Sequence, residues 1–511
     1  MKKIIILLLI ITFTISFFTL GKNPPALYWD EVAIGVDAYS ISQTGKDIHG
    51  NSWLQAIYPS YGDYKAPVPI WLVSIFTKLF GLSEFSVRLP FFMLSWLGLL
   101  GLGWILSQIL EEFNIKNKTS LIYLCLFIVS LTPWYWHFSH IGFESGMSLG
   151  LLIWSMALVL WGLRKKSWSM LLGTLLGLVT VYTYFSARVI VPIFIFILLL
   201  FFGKNAIKKW YWVLISIIIF FVGMQPLLKS PYYLASEQLR WSAANIISNG
   251  QAVSESANLI YQNGNAIIAR LVYHRYWFIA KAFLENYLTH FSFNFLLLNG
   301  DPNLRHHSGW GGQLLLIQII ILISGVYWTI KNRCHHVVWM IWGWLLVAPL
   351  TASIPIEVPH ASRAIYMLLP IAIFYLLGIM NLYQFFKLKN ISINKIVVTI
   401  ILLSIVNFSL YLEDYLNHYP ARSYDSWQVK NKEMTQLALT SYDKYSQIII
   451  SDAYRLPALS VLFYQPNLIN QIQKENMQIN DKQYDWLNGF DKFIFKNTYN
   501  LTSNENQLIV N

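Results

Sequence analysis

Long apolar runs separated by short polar turns dominate this chain. They cover residues 4–20, 89–110, 120–137, 146–163, 168–185, 188–203, 210–228, 313–330, 336–353, 364–387 and 394–412. A helix needs about 17–25 apolar residues to cross a ~30 Å hydrocarbon core, so the pattern predicts about eleven membrane-crossing helices. One further run, 67–80, is short, begins with Pro67 and Pro69 and contains Lys78. Positive residues in short loops mark the cytoplasmic side. The clusters are Lys2-Lys3, Lys116 with Lys118, Arg164-Lys165-Lys166, Lys204 to Lys209, Lys331 to His336 and Lys387 to Lys395. All fall on one side if 67–80 does not cross, and the later ones flip if it does. The run 67–80 is therefore expected to lie as a helix in the membrane interface. The first apolar run resembles a signal peptide, but no small-x-small cleavage pattern follows it, so it is expected to stay as the first helix.

This topology gathers the remaining chemistry on the opposite, exterior face. It places there Asp30-Glu31, Lys65, Arg88, Glu144, Arg188, the loops 21–88 and 229–312, and the segment from Ile354 to Arg363. Val32, Val36 and Tyr39 recur at helical spacing, which predicts a short amphipathic helix lying flat on the membrane with Asp30 at its start. Ala266 to Leu288 has the apolar load of a helix but carries Arg270, His274, Arg275, Lys281 and Glu285, so it too should lie at the surface. Ser446 to Ser451 reads as a buried strand and Leu456 to Phe463 as another element. The expected architecture is an all-α polytopic membrane bundle, residues 1–412, with interfacial helices in the first exterior loop. A small exterior α/β domain, residues 413–511, should follow.

Composition agrees. The chain has 511 residues, 56% hydrophobic and only 12% charged, against about 25% charged in soluble domains. Its 21 Trp and 30 Tyr suit aromatic belts at both interfaces. The net charge of +12 is explained by cytoplasmic loops facing anionic lipid, so no nucleic-acid partner is inferred. Cys125 and Cys334 lie far apart in or beside apolar runs and offer neither a disulfide framework nor a metal motif.

The residues that can do chemistry sit at span ends. Asp30 and Glu31 follow the first span directly, where charge is costly without a task. Asp30 could cap a helix and Glu31 could be a solvated first-turn residue; alternatively an ionised Asp30 takes the proton of an attacking hydroxyl. Lys65, in Asp63-Tyr64-Lys65-Ala66-Pro67, offers a point charge to an anionic head group, or else snorkels at the start of an interfacial helix. Glu144 lies at the exterior end of a span beside Ser145, and N-capping by Ser145 would leave the acid unexplained. His360 and Arg363 would share a face if helical, and Arg363 suits bidentate phosphate contact. The turn-rich stretch Gly300 to Gly312, with Asp301, Arg305 and His306, reads as an exterior loop able to act as a lid. The adjacent histidines could bind metal, but sequence neighbours rarely point the same way, and no metal is expected there.

Taken together these stretches resemble the C-type (GT-C) integral membrane glycosyltransferases: protein O-mannosyltransferases, the lipid A aminoarabinose transferase and, more closely, a broad bacterial group. The resemblance rests on Trp29-Asp30-Glu31, Tyr64-Lys65-Ala66-Pro67, Phe85-Ser86-Val87-Arg88-Leu89-Pro90, Glu144, Tyr182-Thr183-Tyr184 with Ser186-Ala187-Arg188, Gly300-Asp301-Pro302-Asn303 with Arg305-His306, and Pro359-His360-Ala361-Ser362-Arg363. It spans roughly residues 1–370. It implies a sugar donor on a polyprenyl phosphate and inverting transfer on the outer face of a bacterial cytoplasmic membrane. The acceptor would be a protein, glycan or lipid hydroxyl.

On that resemblance Asp30 matches the catalytic acid, with Glu31 its neighbour and Glu144 beside them. Lys65 matches the lysine on the donor phosphate, joined by Arg363 and His360. Asp63, Tyr64, Asp301, Arg305 and His306 would form an acceptor or lid loop. The aminoarabinose enzyme has a glutamate directly before its lysine where this chain has Tyr64, and an arginine three residues after its first acid where this chain has Ile34 or a near neighbour. Both departures count against aminoarabinose as the sugar. A lipid monophosphate is a good leaving group whose charge Lys65 and Arg363 can meet, so no cofactor is required, although the acids could accept a divalent ion. The rival reading is a lipid or polysaccharide transporter or flippase. It predicts charged or broken helices near the bilayer midplane, and these runs are nearly free of ionisable residues.

Overall fold

The computed structural model describes residues 2–115, 119–242, 245–453, 456–474, 489–498 and 506–510. The predicted cytoplasmic positions Lys116 and Lys118 lie outside them. The first helices are α1 (Lys2–Thr19), α2 (Trp29–Thr44), α3 (Pro67–Phe80), α4 (Glu84–Glu112), α5 (Thr119–Ser130), α6 (Pro133–His140), α7 (Glu144–Arg164), α8 (Ser169–Val181) and α9 (Ala187–Phe201). Trp210–Leu228, Leu316–Lys331, His336–Val347, Leu368–Leu388 and Ile393–Asn417 continue the bundle. Six helices are long and apolar enough to cross a membrane, and a seventh if α5 and α6 count as one bent span. Four of the expected spans, α8, α9, Leu316–Lys331 and His336–Val347, are shorter apolar helices. The protein is a polytopic membrane protein of mostly helical structure with a small sheet.

The run 120–137, expected as one span, is broken. α5 ends at Ser130, α6 starts at Pro133, and the axes bend by 65°. Pro133 donates no backbone hydrogen bond and forces the preceding residue out of the helical region; Thr132 is extended at φ −68°, ψ 124°. The side chains of α6 beyond the bend are all buried.

Glycines let the central helices touch backbone to backbone. A methyl group on Gly98 of α4 would come within 2.7 Å of the Gly150 Cα of α7. Gly325 and Gly378 do the same for Leu316–Lys331 and Leu368–Leu388, each facing a carbonyl of the other helix. Such contacts require the side chain to be absent.

α2 forms where expected but does not lie flat on a membrane. Nearly all its residues from Glu31 to Ser40 are buried. It packs on α3 and α4 on one side and on the helix Pro457–Tyr464 on the other. Gly35 marks the tightest point: a Cβ there would sit 2.9 Å from both Val87 and Phe463. The apolar spacing was right, but charged and small residues on the second face are covered by a partner distant in sequence.

The expected strand at 446–451 is Gln447–Ser451, the middle of a four-stranded sheet with Phe493–Lys496 and Gln507–Val510 as parallel neighbours and Gly489–Phe490 antiparallel at one edge. The element expected at 456–463 is the helix Pro457–Tyr464. In the long segment 229–312, Ile267–Val272 and Arg275–Thr289 keep Ile267, Ile268, Trp277 and Leu284 exposed, a face an apolar interface would cover.

Candidate active site

The site is built on the first turn of α2 and a hairpin that follows it. Strands β1 (Tyr58–Ser60) and β2 (Asp63–Lys65) pair antiparallel, Tyr58 opposite Lys65 and Ser60 opposite Asp63. The two-residue connection has φ of 52° at Tyr61 and 76° at Gly62, the positive-φ turn that matches strand twist. Side chains alternate along a strand, so Asp63 and Lys65 share one side and Tyr64 takes the other. The Tyr64 ring indeed lies against Tyr232, at 5.9 Å between centroids. Tyr64 thus faces away from Asp63 and Lys65 on the hairpin.

Lys65 is 4% exposed. Its ammonium donates to Asp30 and, at 3.1 Å, to Asp63. Asp30, Asp63 and Lys65 line a cavity of 220 Å³ together with Glu144, Tyr184, Phe185, Ser186, Glu237 and Arg363. Glu144 enters as the first residue of α7. Ser145 does not cap that helix; the cap position is Phe143, and the Ser145 hydroxyl accepts from Ser362 at 3.0 Å. That bond ties the start of α7 to the segment carrying Arg363. The same segment is held by Ala361 N–H on Asp301 (2.7 Å), Trp134 on the Ala361 carbonyl (3.1 Å) and His360 N–H on His290 (3.1 Å). Arg188 pairs with Glu237 at the cavity wall and stacks on Phe185 at 4.0 Å. Neither Arg188 nor Glu237 was singled out as a site residue from sequence.

Glu31 is a correction. It was expected beside Asp30 as part of a reacting pair, yet it is fully buried and points into the protein. One oxygen accepts from Arg88 Nε (2.9 Å) and Gly142 N–H (2.6 Å), the other from Arg88 Nη2 and Tyr28 N–H (both 3.0 Å). Two successive residues of a helix point about 100° apart, so one acid reaches the cavity and the next reaches the core.

The Gly300–Gly312 stretch is pinned through its side chains and its carbonyls. Asp301 is 3% exposed and also accepts from Asn303 N–H (2.8 Å) and His306 Nδ1 (3.0 Å). The Arg305 carbonyl is bound by His137 (2.8 Å), that of Leu304 by Tyr419 (2.7 Å) and that of Ser308 by Arg422 (2.7 and 3.0 Å). The Arg305 guanidinium covers the Tyr28 ring at 4.1 Å. Burial raises the Asp301 carboxyl, but His306 and the two backbone donors outweigh it and leave it below the usual range. Burial, with His306 and Arg363 nearby, holds the His360 ring well below its ordinary value. The ring stacks on His306 at 4.6 Å between centroids.

Two places could attract a cation. Asp301, His306 and His360 have ligand atoms within 4.8 Å of one another. Asp301 and His306 are engaged in the hydrogen bonds above, and the His360 ring faces the charges of Arg363 and Arg305. In the cavity, the Lys65 ammonium already stands between Asp30 and Asp63.

The helical bundle, with its acids and cations converging on one cavity, is similar in fold to solved structures of membrane proteins. The crystal structure of ArnT from Cupriavidus metallidurans bound to undecaprenyl phosphate matches with a TM-score of 0.52 at 11% identity, over 93% of this chain and 89% of that one. The apo form matches at 0.52 and 11%, over 90% and 84%. The Archaeoglobus fulgidus oligosaccharyltransferase in complex with Zn and sulfate matches at 0.51 and 12%, over 89% of this chain but 61% of that one. No protein-family model and no curated protein matches the chain by sequence.

Proposed function

We propose that the protein is an inverting glycosyltransferase that moves a sugar from a polyprenyl-phosphate donor to an acceptor hydroxyl outside the cytoplasmic membrane of a bacterium. The observation that carries this is the Asp30–Lys65 pair opening into one cavity with Glu144 and Arg363. Asp30 accepts the acceptor's hydroxyl proton as its oxygen bonds the anomeric carbon from the face opposite the phosphate. The carbon–oxygen bond to phosphate breaks and its electron pair leaves with the polyprenyl phosphate. Lys65 and Arg363 meet the charge that develops there. Glu144, on the far side of the cavity, orients the acceptor. This step requires no metal.

An apolar cavity of 280 Å³ supports a lipid-borne donor. It is lined by Val159, Met170, Pro192, Phe196, Ile217 and Phe220, among others. Val189 of α9 lines the polar cavity and Pro192 the apolar one. Those residues are three apart, about 4.5 Å along the axis, so a phosphate in the first leaves its chain beside the second. In this reading residues 1–412 form the transferase domain with its N-terminus inside, and residues 413–511 an exterior domain.

The test uses the purified full chain in lipid with a polyprenyl-phosphate sugar and mass spectrometry of the products. Asp30→Asn should abolish transfer and leave donor binding intact. Equal transfer by both proteins refutes the base assignment. Lipid translocation in sealed vesicles that Asp30→Asn does not impair would favour the transporter reading instead. A chelator should leave the rate unchanged.

A further inference from the structure

The Glu31–Arg88 ion pair lies at a junction of four segments, and what it joins bears on the cavity. Arg88 of α4 is fully buried. Besides both oxygens of Glu31, it binds the carbonyls of Pro24 (2.9 Å) and Ala26 (2.6 Å) in the loop that delivers α2. Its guanidinium lies 5.5 Å from the Trp427 ring, which belongs to the chain beyond the last long helix. Glu31 in turn holds the backbone of Tyr28 and of Gly142. Glu31 is the neighbour of Asp30, and Gly142 stands two residues before Glu144. One buried carboxylate therefore joins the backbone that carries Asp30 to the backbone that carries Glu144.

The close approach is built in. A Cβ on Gly142 would stand 3.0 Å from Glu31 Oε1 and 3.1 Å from its Cγ, so only glycine lets the amide reach the carboxylate undisturbed. A second brace acts on the same turn: Trp29 N–H, a donor the helix cannot satisfy itself, is bound by Gln428 Oε1 at 3.1 Å.

We infer that Glu31, Arg88 and Gly142 are positioning residues, which set the separation of Asp30 and Glu144 across the cavity. The inference rests on the transfer reading above, and its test separates the two. Glu31→Gln keeps the shape but turns an amide N–H toward a donor, either Arg88 or an N–H of Gly142 or Tyr28. Gly142→Ala changes no charge and must displace the carboxylate by a few tenths of an ångström. Misplacing reacting groups by about 1 Å can cost ~10²-fold in rate. In folded protein, Gly142→Ala is expected to lower kcat about tenfold and Glu31→Gln about 10²-fold, with the donor KM unchanged. Arg88→Lys should restore part of the rate lost in Arg88→Met, because an ammonium keeps one of the contacts.

A purely structural pair would instead lower the thermal midpoint and folded yield of Gly142→Ala while leaving kcat per folded molecule as in the parent. That result, with Asp30→Asn inactive, overturns the positioning role alone. If Asp30→Asn transfers as fast as the parent, the transfer reading has failed first. A donor KM raised as far as kcat falls also overturns the inference, because the pair would then be serving donor binding.

Discussion

Replacing Lys65 by methionine removes a cation that bridges Asp30 and Asp63. At 3.1 Å from Asp63 and an effective dielectric of ~20, one pair is worth about 5 kcal/mol gross. The two carboxylates are 32% and 28% exposed, so solvent screening leaves about 1–2 kcal/mol of that in the resting protein. A donor phosphate that closes over Lys65 excludes water, and the leaving oxygen gains charge as the sugar bond breaks. Removing one preorganised donor from such a site costs about 2.7–4 kcal/mol in the transition state, or ~10²–10³ in kcat. Uncompensated Asp30 and Asp63 would also repel the phosphate, so donor KM should rise, by about tenfold for ~1.4 kcal/mol. The assay is steady-state transfer by detergent-solubilised protein across a donor series, with circular dichroism confirming the fold. The kcat loss should exceed the KM change. Lys65→Met with kcat within threefold of the parent would refute the assignment of Lys65 to the leaving group.

Glu144→Gln should raise the acceptor KM or lower kcat at least tenfold while donor binding, followed by calorimetry, is unchanged. Arg363→Lys exchanges a planar fork for a point charge and should lower kcat/KM about tenfold, a loss of ~1.4 kcal/mol; no change would show that Arg363 makes no bidentate contact. Gly150→Val puts a branched side chain against the α4 backbone and should cost ~3 kcal/mol or more, read as a lower thermal midpoint. Burial holds His307 down at about 4 against 6.5 unfolded. The unfolded chain therefore takes up its proton first. The stability from this group is complete above pH 6.5 and is lost as pH falls toward 4, about 2 kcal/mol by pH 5. His307→Gln should flatten the midpoint–pH slope in that window.

Much was legible because two of its causes are local. A bilayer demands long apolar helices with charge at their ends, and that demand is written residue by residue. The expected spans fall on helices, one of them broken at Pro133, and the charges at 30, 65, 144 and 363 sit at or beside element ends, where charge interrupts an apolar pattern. Strand alternation alone would have separated Lys65 from Tyr64 had the hairpin been foreseen; Gly62 was its signal.

Other features depended on partners far along the chain. Asp30 and Glu31 are indistinguishable by type and spacing; only the position of Arg88 and Gly142 sends the second acid into the core. Val32 and Val36 announced a helix but not that Phe463, hundreds of residues later, would cover its other face. The turn-rich Gly300 stretch announced a loop, but not that His137, Tyr419 and Arg422 would bind its carbonyls. Periodicity reports what a segment needs buried. Which neighbour satisfies that need is settled by packing and hydrogen-bond partners that meet only when the whole chain has closed.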